Sequence, residues 1–322
     1  MMCFVHCDRL LAAMLRAQDT ELLRVLQENQ QTAQEYNLIF DYYHILQSKL
    51  PEMYPSICNV QAYGSMEMGF GVKGSDLDIT LKLREGEQER GTLKELVQVV
   101  SSEPIFEVVE EVLNDRVAVP LLRCRFGSVD VDITCNQHDG VRDANFLRKY
   151  ATLSPLVRDL VILVKVWAKK VMIYGAKYGN LPSLAWTILV IYFLQVKKGL
   201  PHLSRWLPHH ESMEDSSTFS RVDSVPELFR QFITFYGDWH SRENFEWSKE
   251  VASIRKGRPQ TRCTIEQLQQ LERRPHYIIH IEHPFDITEN LGGKLKRNTE
   301  KMLKKSFQNA HYELSNFQTP FW

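Results

Sequence analysis

A chain of 322 residues, 43% of them apolar, is long enough for two domains with a substantial core and is excluded from the disordered class. Its 39 Lys and Arg against 40 Asp and Glu give a formal net charge of −1, which excludes the broad basic surface of a protein that coats duplex or long RNA. No apolar run approaches the roughly 18 residues that a membrane-spanning helix needs, so no membrane partner is expected.

In chain order, residues 8–50 carry a helical apolar pattern that Pro51 and Pro55 are expected to end. The preceding residues, 1–18, read as a helix or as the remnant of a transit sequence, and Asp8 and Asp19 speak against the latter. Strands are expected over 57–63 and 76–83, a charged turn over 86–90, a helix over 92–101, and strands over 106–113, 117–126 and 129–135. After Gly140 the period turns helical, with helices over 146–150, 155–173, 181–198, 225–235 and 300–315. Residues 201–225 read as a polar mobile loop and 275–281 as an extended apolar segment. The six cysteines are scattered, and Cys124 and Cys135 lie in strand patterns, as reduced core thiols do. Cys3, His6 and Cys7 lack two further ligands for zinc.

The chemistry gathers in residues 63–81. A glycine-rich turn with Gly64 and Ser65 leads to Asp76-Leu77-Asp78-Ile79-Thr80-Leu81. On a strand, Asp76 and Asp78 share one face and Leu77, Ile79 and Leu81 the other. Two like charges so close need a counter-cation, and hard carboxylate oxygens suit Mg²⁺. Gly64 and Ser65 offer backbone N–H groups and a hydroxyl suited to phosphate. An isolated Asp-x-Asp is common; the whole unit is rarer and predicts a third carboxylate on a neighbouring strand. Residues 129–134 supply it at Asp130 or Asp132, which alternation places on one side, so spacing does not choose between them.

With these residues in view, the chain resembles the template-independent RNA nucleotidyltransferases of the DNA polymerase β superfamily, which include poly(A) polymerases and terminal uridylyltransferases. The resemblance runs over roughly residues 35–322 and is nearest to small uridylyltransferases of the trypanosomatid type. It implies an α+β architecture: a five-stranded mixed-sheet nucleotidyltransferase palm domain, a mostly helical second domain, and the active site in the cleft between. The expected divisions are N-terminal helices over 1–50, packing on either domain; the catalytic domain over 51–142; and the helical nucleotide-recognition domain over 143–322.

The resemblance also assigns roles. Asp132-Ile133-Thr134-Cys135-Asn136 fits the family's Asp-Ile-x-x-Asn pattern and selects Asp132 as the third carboxylate. Asp76, Asp78 and Asp132 are then the ligands of two Mg²⁺ ions, with Mn²⁺ as a substitute metal. Lys165 and Lys169, four apart on one helix face, match the lysines that hold the β and γ phosphates, and Ser183 at a helix start matches a third triphosphate contact. Leu184 stands where the family usually has a base-stacking Tyr. Asp143 falls where an Asn contacts ribose and base, with Asn145 as its substitute. Within 281–292, Asp286 corresponds to an acid that accepts from uracil N3–H, and His283 replaces the usual Asp. Glu289 stands where several uridylyl-specific members carry His, whereas Asn290-Leu291-Gly292 looks uridylyl-like. Phe245-Glu246-Trp247 and Ile254-Arg255-Lys256-Gly257 match the family's helical domain structurally.

The implied activity is addition of UMP from UTP to the 3′ hydroxyl of single-stranded RNA, with a poly(A) polymerase using ATP as the alternative. A non-catalytic scaffold for RNA or a complex is the alternative outside enzymes. A larger RNA-processing complex is the expected partner that delivers substrate, and an intracellular site, mitochondrial or cytoplasmic, the expected location.

Overall fold

Thr32 interrupts the helical run at the N-terminus. Its side chain accepts from the Glu35 N–H at 3.1 Å while Glu35 Oε2 accepts from the Thr32 N–H at 2.8 Å, a reciprocal cap that starts a new helix. The run is therefore two helices, α1 (Met2–Asn29) and α2 (Ala33–Met53). Pro51 does not end α2; it lies within its last turn. The computed structural model describes residues 2–115, 117, 119–202, 223–255, 257–261 and 279–318.

The chain divides into two compact units, Gln30–Ser154 and Met1–Asn29 with Pro155–Trp322. The first holds α2, β1 (Ile57–Tyr63), α3 (Gly64–Glu67), β2 (Leu77–Leu83), α4 (Glu89–Ser101), β3 (Phe106–Val112), β4 (Leu121–Phe126), β5 (Val129–Cys135) and α5 (His138–Leu153). Its five strands form one mixed sheet in the order β1-β2-β5-β4-β3; β2 and β5 are parallel and the other pairs antiparallel. Alternation sends Leu77, Ile79, Leu81, Val131, Ile133, Leu122, Cys124 and Phe126 to one face, where Leu46 and Leu50 of α2 and Leu93, Leu96 and Val100 of α4 complete a dry core. The other face carries Asp78, Thr80, Asp132 and Thr134.

Three bounds differ from the sequence pattern for identifiable reasons. β4 starts at Leu121, not 117, because Pro120 has no N–H to give a ladder. α5 starts at His138, not 146: Gly140 is no breaker but a contact point, since a Cβ there would come 2.9 Å from the Tyr63 ring. β2 starts at Leu77, which leaves Asp76 in the turn before it.

The second unit holds α1, α6 (Pro155–Lys170), α7 (Ser183–Lys198), α8 (Val225–Gly237), β6 (Glu250–Ala252), β7 (Gln260–Thr261), β8 (His280–Ile281) and α9 (Arg297–Ser315). Trp167, Trp186, Phe229, Phe232, Tyr236 and Phe307 form its aromatic core, with Trp167 and Phe307 centroids 4.9 Å apart. The Gln18 side chain of α1 donates to the Gln318 carbonyl at 2.8 Å, and Asp19 pairs with Arg230, fixing α1 to this unit. α6 ends at Lys170, short of the expected 173, and Met172 takes a left-handed φ of 59°. α7 starts at Ser183, because Pro182 is its N-cap. The short strands β6–β8 form a sheet in the order β7-β6-β8 that the sequence pattern did not disclose. Most of the expected loop at 201–225, with His209 and His210, and of the extended segment at 275–281 lies outside the described residues.

Candidate active site

The parallel pairing of β2 with β5 sets Asp78 directly opposite Asp132. The antiparallel neighbours extend the row: Tyr63 of β1 pairs with Asp78, and Arg123 of β4 pairs with Asp132. Tyr63, Asp78, Asp132 and Arg123 thus form one line across four strands, on the face opposite the core. The next row is polar and buried, with Thr80 beside Thr134. The Tyr63 hydroxyl bonds Thr134 Oγ1 at 3.1 Å. Burial, and then the charge of Asp78, push the Tyr63 hydroxyl well above the ordinary phenol range, so it stays protonated.

Asp76, in the turn before β2, is reached through Val72-Lys73-Gly74-Ser75. The Val72 N–H donates to Ser75 Oγ at 2.9 Å, and Gly74 supplies the positive φ of 69°. Asp76 therefore does not inherit its direction from strand alternation, as the Asp-x-Asp spacing suggested. A cavity of about 270 Å³ opens beside it, lined among others by Gln31, Glu35, Ser75, Ser128 and Asp130.

Gly64 faces the Asp78 carboxylate. A Cβ on Gly64 would lie 2.6 Å from Asp78 Cγ and closer still to Oδ2, and the glycine has φ +72°. Both the contact and the angle demand glycine. Gly64 and Ser65 form the first turn of the four-residue α3, not an open loop.

Asp132 is held by Arg123 in a two-pronged bond, Nε to Oδ1 at 2.8 Å and Nη2 to Oδ2 at 2.9 Å. Glu110 accepts from Arg123 Nη1 at 2.8 Å, on the far side of the guanidinium. Asp130 is matched instead with Arg125 at 2.9 Å and its side chain is 44% exposed, against 12% for that of Asp132. Asn136 explains the pattern that singles out Asp132: at φ 51° it ends β5, and its side chain accepts from the Leu83 N–H at 3.2 Å.

Among the described residues, no three His, Cys, Asp or Glu side chains are gathered closely enough to hold a metal ion. The donor set nevertheless has the right chemistry for a hard cation. Asp78 and Asp132 are in register on one face, Asp76 lies in the turn just before β2, and Gly64 leaves room at the Asp78 carboxylate. Both Asp132 oxygens are engaged by Arg123, a residue the sequence reading missed. The signal was available: the two-residue hairpin Gly127-Ser128 between β4 and β5 fixes the register that pairs Arg125 with Asp130 and Arg123 with Asp132.

On α5, Asp143 is buried and Asn145 exposed. Two residues apart, they point to different sides of the helix and do not substitute for one another at one site.

In the other unit, Lys165 is 1% exposed within α6, whereas Lys169, one turn later, is exposed with Nζ 5.2 Å from the Tyr174 ring centre. Ser183 is the first residue of α7 and Leu184 follows it, both half-buried. In the 281–292 segment the structure gives several polar residues structural work. Buried Glu282 accepts from Ser253 Oγ at 2.7 Å. His283 Nδ1 accepts the N–H groups of Phe285 and Asp286 at 3.2 and 3.1 Å, taking the acceptor role that an Asp has at a turn. Asn290 Oδ1 accepts from Ile281 and Gly292 N–H groups at 3.0 and 2.8 Å. Asp286 is exposed and accepts from the Thr288 hydroxyl at 2.6 Å and N–H at 2.9 Å; the Thr288 hydroxyl, then its N–H, hold the carboxyl below its usual range. Glu289 is half-buried and its carbonyl accepts from the His283 N–H at 3.1 Å.

Comparison with known proteins matches residues 19–152 to the central palm domain of mitochondrial-like poly(A) RNA polymerases and residues 224–289 to a domain of the Cid1 family of poly(A) polymerases. The chain is 27% identical over 287 residues to the poly(A) RNA polymerase GLD2-A of Xenopus laevis, covering 82% of this chain and 54% of the relative. It is 26% identical over 292 residues to human terminal uridylyltransferase 7, covering 82% of this chain and 19% of that one. The chain thus spans about half the length of its poly(A) polymerase relatives. The structure superposes on a cytoplasmic RNA terminal U-transferase with a TM-score of 0.74 at 20% identity, over 94% of this chain and 99% of that one. It superposes on the Cid1 poly(U) polymerase bound to Mg and 3′-dATP with a TM-score of 0.73 at 23% identity, over 92% and 93%.

Proposed function

We propose, for a chain that belongs to the template-independent nucleotidyltransferases of the DNA polymerase β superfamily, that it adds UMP from UTP to the 3′ hydroxyl of single-stranded RNA and releases pyrophosphate. The observation that carries the reading is the in-register pair Asp78 and Asp132, with Asp76 just before the strand. In the transfer, the RNA 3′ oxygen forms a bond to the α phosphorus and the bond from that phosphorus to the bridging oxygen breaks. The 3′ hydroxyl loses its proton, and pyrophosphate leaves with the electron pair.

Asp76, Asp78 and Asp132 would hold two Mg²⁺ ions, which supply positive charge to the entering and leaving oxygens. Asp132 is also assigned to orient or deprotonate the 3′ hydroxyl. Gly64 and Ser65 offer their N–H groups and hydroxyl to phosphate. Lys165, Lys169 and Ser183 are assigned to the β and γ phosphates, whose charge two ammonium groups offset. Asp143 is assigned to the ribose hydroxyls in preference to the exposed Asn145, Leu184 to one face of the base, and Asp286 to uracil N3–H. Asp286 is already ionised and braced by Thr288, as an acceptor must be.

ATP is the second reading. Leu184 gives no aromatic face, Glu289 stands in place of a His, and the GLD2 relatives are poly(A) RNA polymerases. Pyrophosphate release from UTP, measured with and without a single-stranded RNA, tests the proposal. Release that requires RNA supports it; release without RNA redirects the reading to a soluble product.

A further inference from the structure

The clamp on Asp132 has a chemical consequence. A carboxylate beside another carboxylate in register is destabilised unless a cation neutralises it. Arg123 supplies that cation from the chain itself. It covers both oxygens of Asp132 and is itself backed by Glu110 at 2.8 Å. A guanidinium and a divalent ion compete for the same carboxylate lone pairs.

We propose that Arg123 is a positioning residue that occupies Asp132 before metal arrives, so that a divalent ion binds weakly to the free chain and is taken up together with a nucleoside triphosphate. This rests on the reading of Asp132 as a metal ligand. The pair does two things. It keeps the Asp78 and Asp132 row stable without metal, and it makes complete metal loading depend on the extra oxygens that a triphosphate brings. When the ion is in place, Arg123 keeps Glu110 as its partner, so its release from one Asp132 oxygen leaves no unpaired charge.

The test is direct Mn²⁺ binding to the full chain, read from the free-ion electron paramagnetic resonance signal, with and without a non-hydrolysable UTP analogue. Arg123→Gln keeps an amide donor near Asp132 and removes the charge. It is expected to tighten Mn²⁺ binding in the absence of nucleotide by at least about tenfold, the size of effect a neighbouring Arg has on proton binding by a carboxylate. The difference shrinks when the analogue is present. Arg123→Lys, which keeps the charge and loses the fork, falls between and serves if the Gln variant does not fold. Asp132→Asn weakens Mn²⁺ binding in every condition. Unchanged or weaker binding in Arg123→Gln, with weakened binding in Asp132→Asn, overturns the clamp and leaves the metal-ligand reading standing. Unchanged binding in Asp132→Asn overturns that reading, and the clamp with it.

Discussion

The α carbon of Gly64 packs against the carboxylate of Asp78, and a Cβ added there would sit 2.6 Å from Asp78 Cγ. The glycine is thus part of how that carboxylate is aimed, besides lying in the left-handed region. Gly64→Ala is expected to lose about 1–2 kcal/mol from the backbone conformation alone. It also displaces the Asp78 side chain, so transfer falls more than stability does. Thermal unfolding and RNA extension measured on the same preparation check this; an active Gly64→Ala enzyme would show that Asp78 tolerates displacement.

Asp76→Asn, Asp78→Asn and Asp132→Asn each remove one negative charge with little change in shape. Each is expected to lower transfer by on the order of 10²–10³ or more, as loss of a preorganised electrostatic group does. Circular dichroism is expected to be unchanged. Asp130→Asn is the control: its partner Arg125 is 45% exposed and its own side chain 44% exposed, so transfer stays near the parent value.

The strand pattern of the unit Gln30–Ser154 is well marked in the sequence because its core strands alternate cleanly: 77–83 and 129–135 show Leu, Ile and Val on one face and Asp and Thr on the other. That alternation put Asp78 on the polar face of one strand and Asp130 and Asp132 on the polar face of another; the family pattern selected Asp132, and the strand register sets it opposite Asp78. Alternation is silent for Asp76, which precedes its strand, and for β6, β7 and β8, which are two or three residues long and have no period to show. The start of α5 was hidden because Gly140 reads as a breaker when its neighbour, the Tyr63 ring, is unknown. Burial of Lys165 is equally hidden, since a Lys four before another reads as a solvated pair. The Arg123 clamp was within reach: the two-residue turn at 127–128 fixes which Arg faces which Asp.

Lys165 and Lys169 separate by burial, and their variants separate in turn. Lys169→Ala, at an exposed position, is expected to raise the KM for UTP while stability stays within about 0.5 kcal/mol. Lys165→Met keeps the buried stem and removes the charge; it raises the KM for UTP and lowers the rate at saturation. Steady-state kinetics with denaturant unfolding of each variant decide the matter. Unchanged KM in both would remove the lysines from the triphosphate site.

Thr288 braces Asp286, and the effect has a sign. The folded carboxyl titrates below its free value of about 3.9, so its contribution is present above that pH and is lost as pH falls through the lower, folded value. On the proposed assignment of Asp286 to uracil, nucleotide recognition through this carboxylate is expected to be flat across the neutral range. Thr288→Val removes the hydroxyl donor, raises the Asp286 pKa as read by carboxyl-carbon NMR, and raises the KM for UTP. A Thr288→Val enzyme with an unmoved Asp286 titration would contradict the assignment.

The buried thiols of Cys124 and Cys135 are pushed up to about 12, chiefly by burial, and Cys58 is exposed. Of these three, mild alkylation of the folded chain near pH 8 is expected to label Cys58 and spare the other two until the chain unfolds. Peptide mapping reads the result.

The central claim is tested most directly by extension of a labelled single-stranded RNA with Mg²⁺ and each of the four nucleoside triphosphates separately. The account predicts extension with UTP, and little with the other three. Extension with ATP alone would contradict the assignment of the base and put adenylyl transfer in its place. No extension with any of the four, by a chain that still binds Mn²⁺ and UTP, would contradict transfer itself.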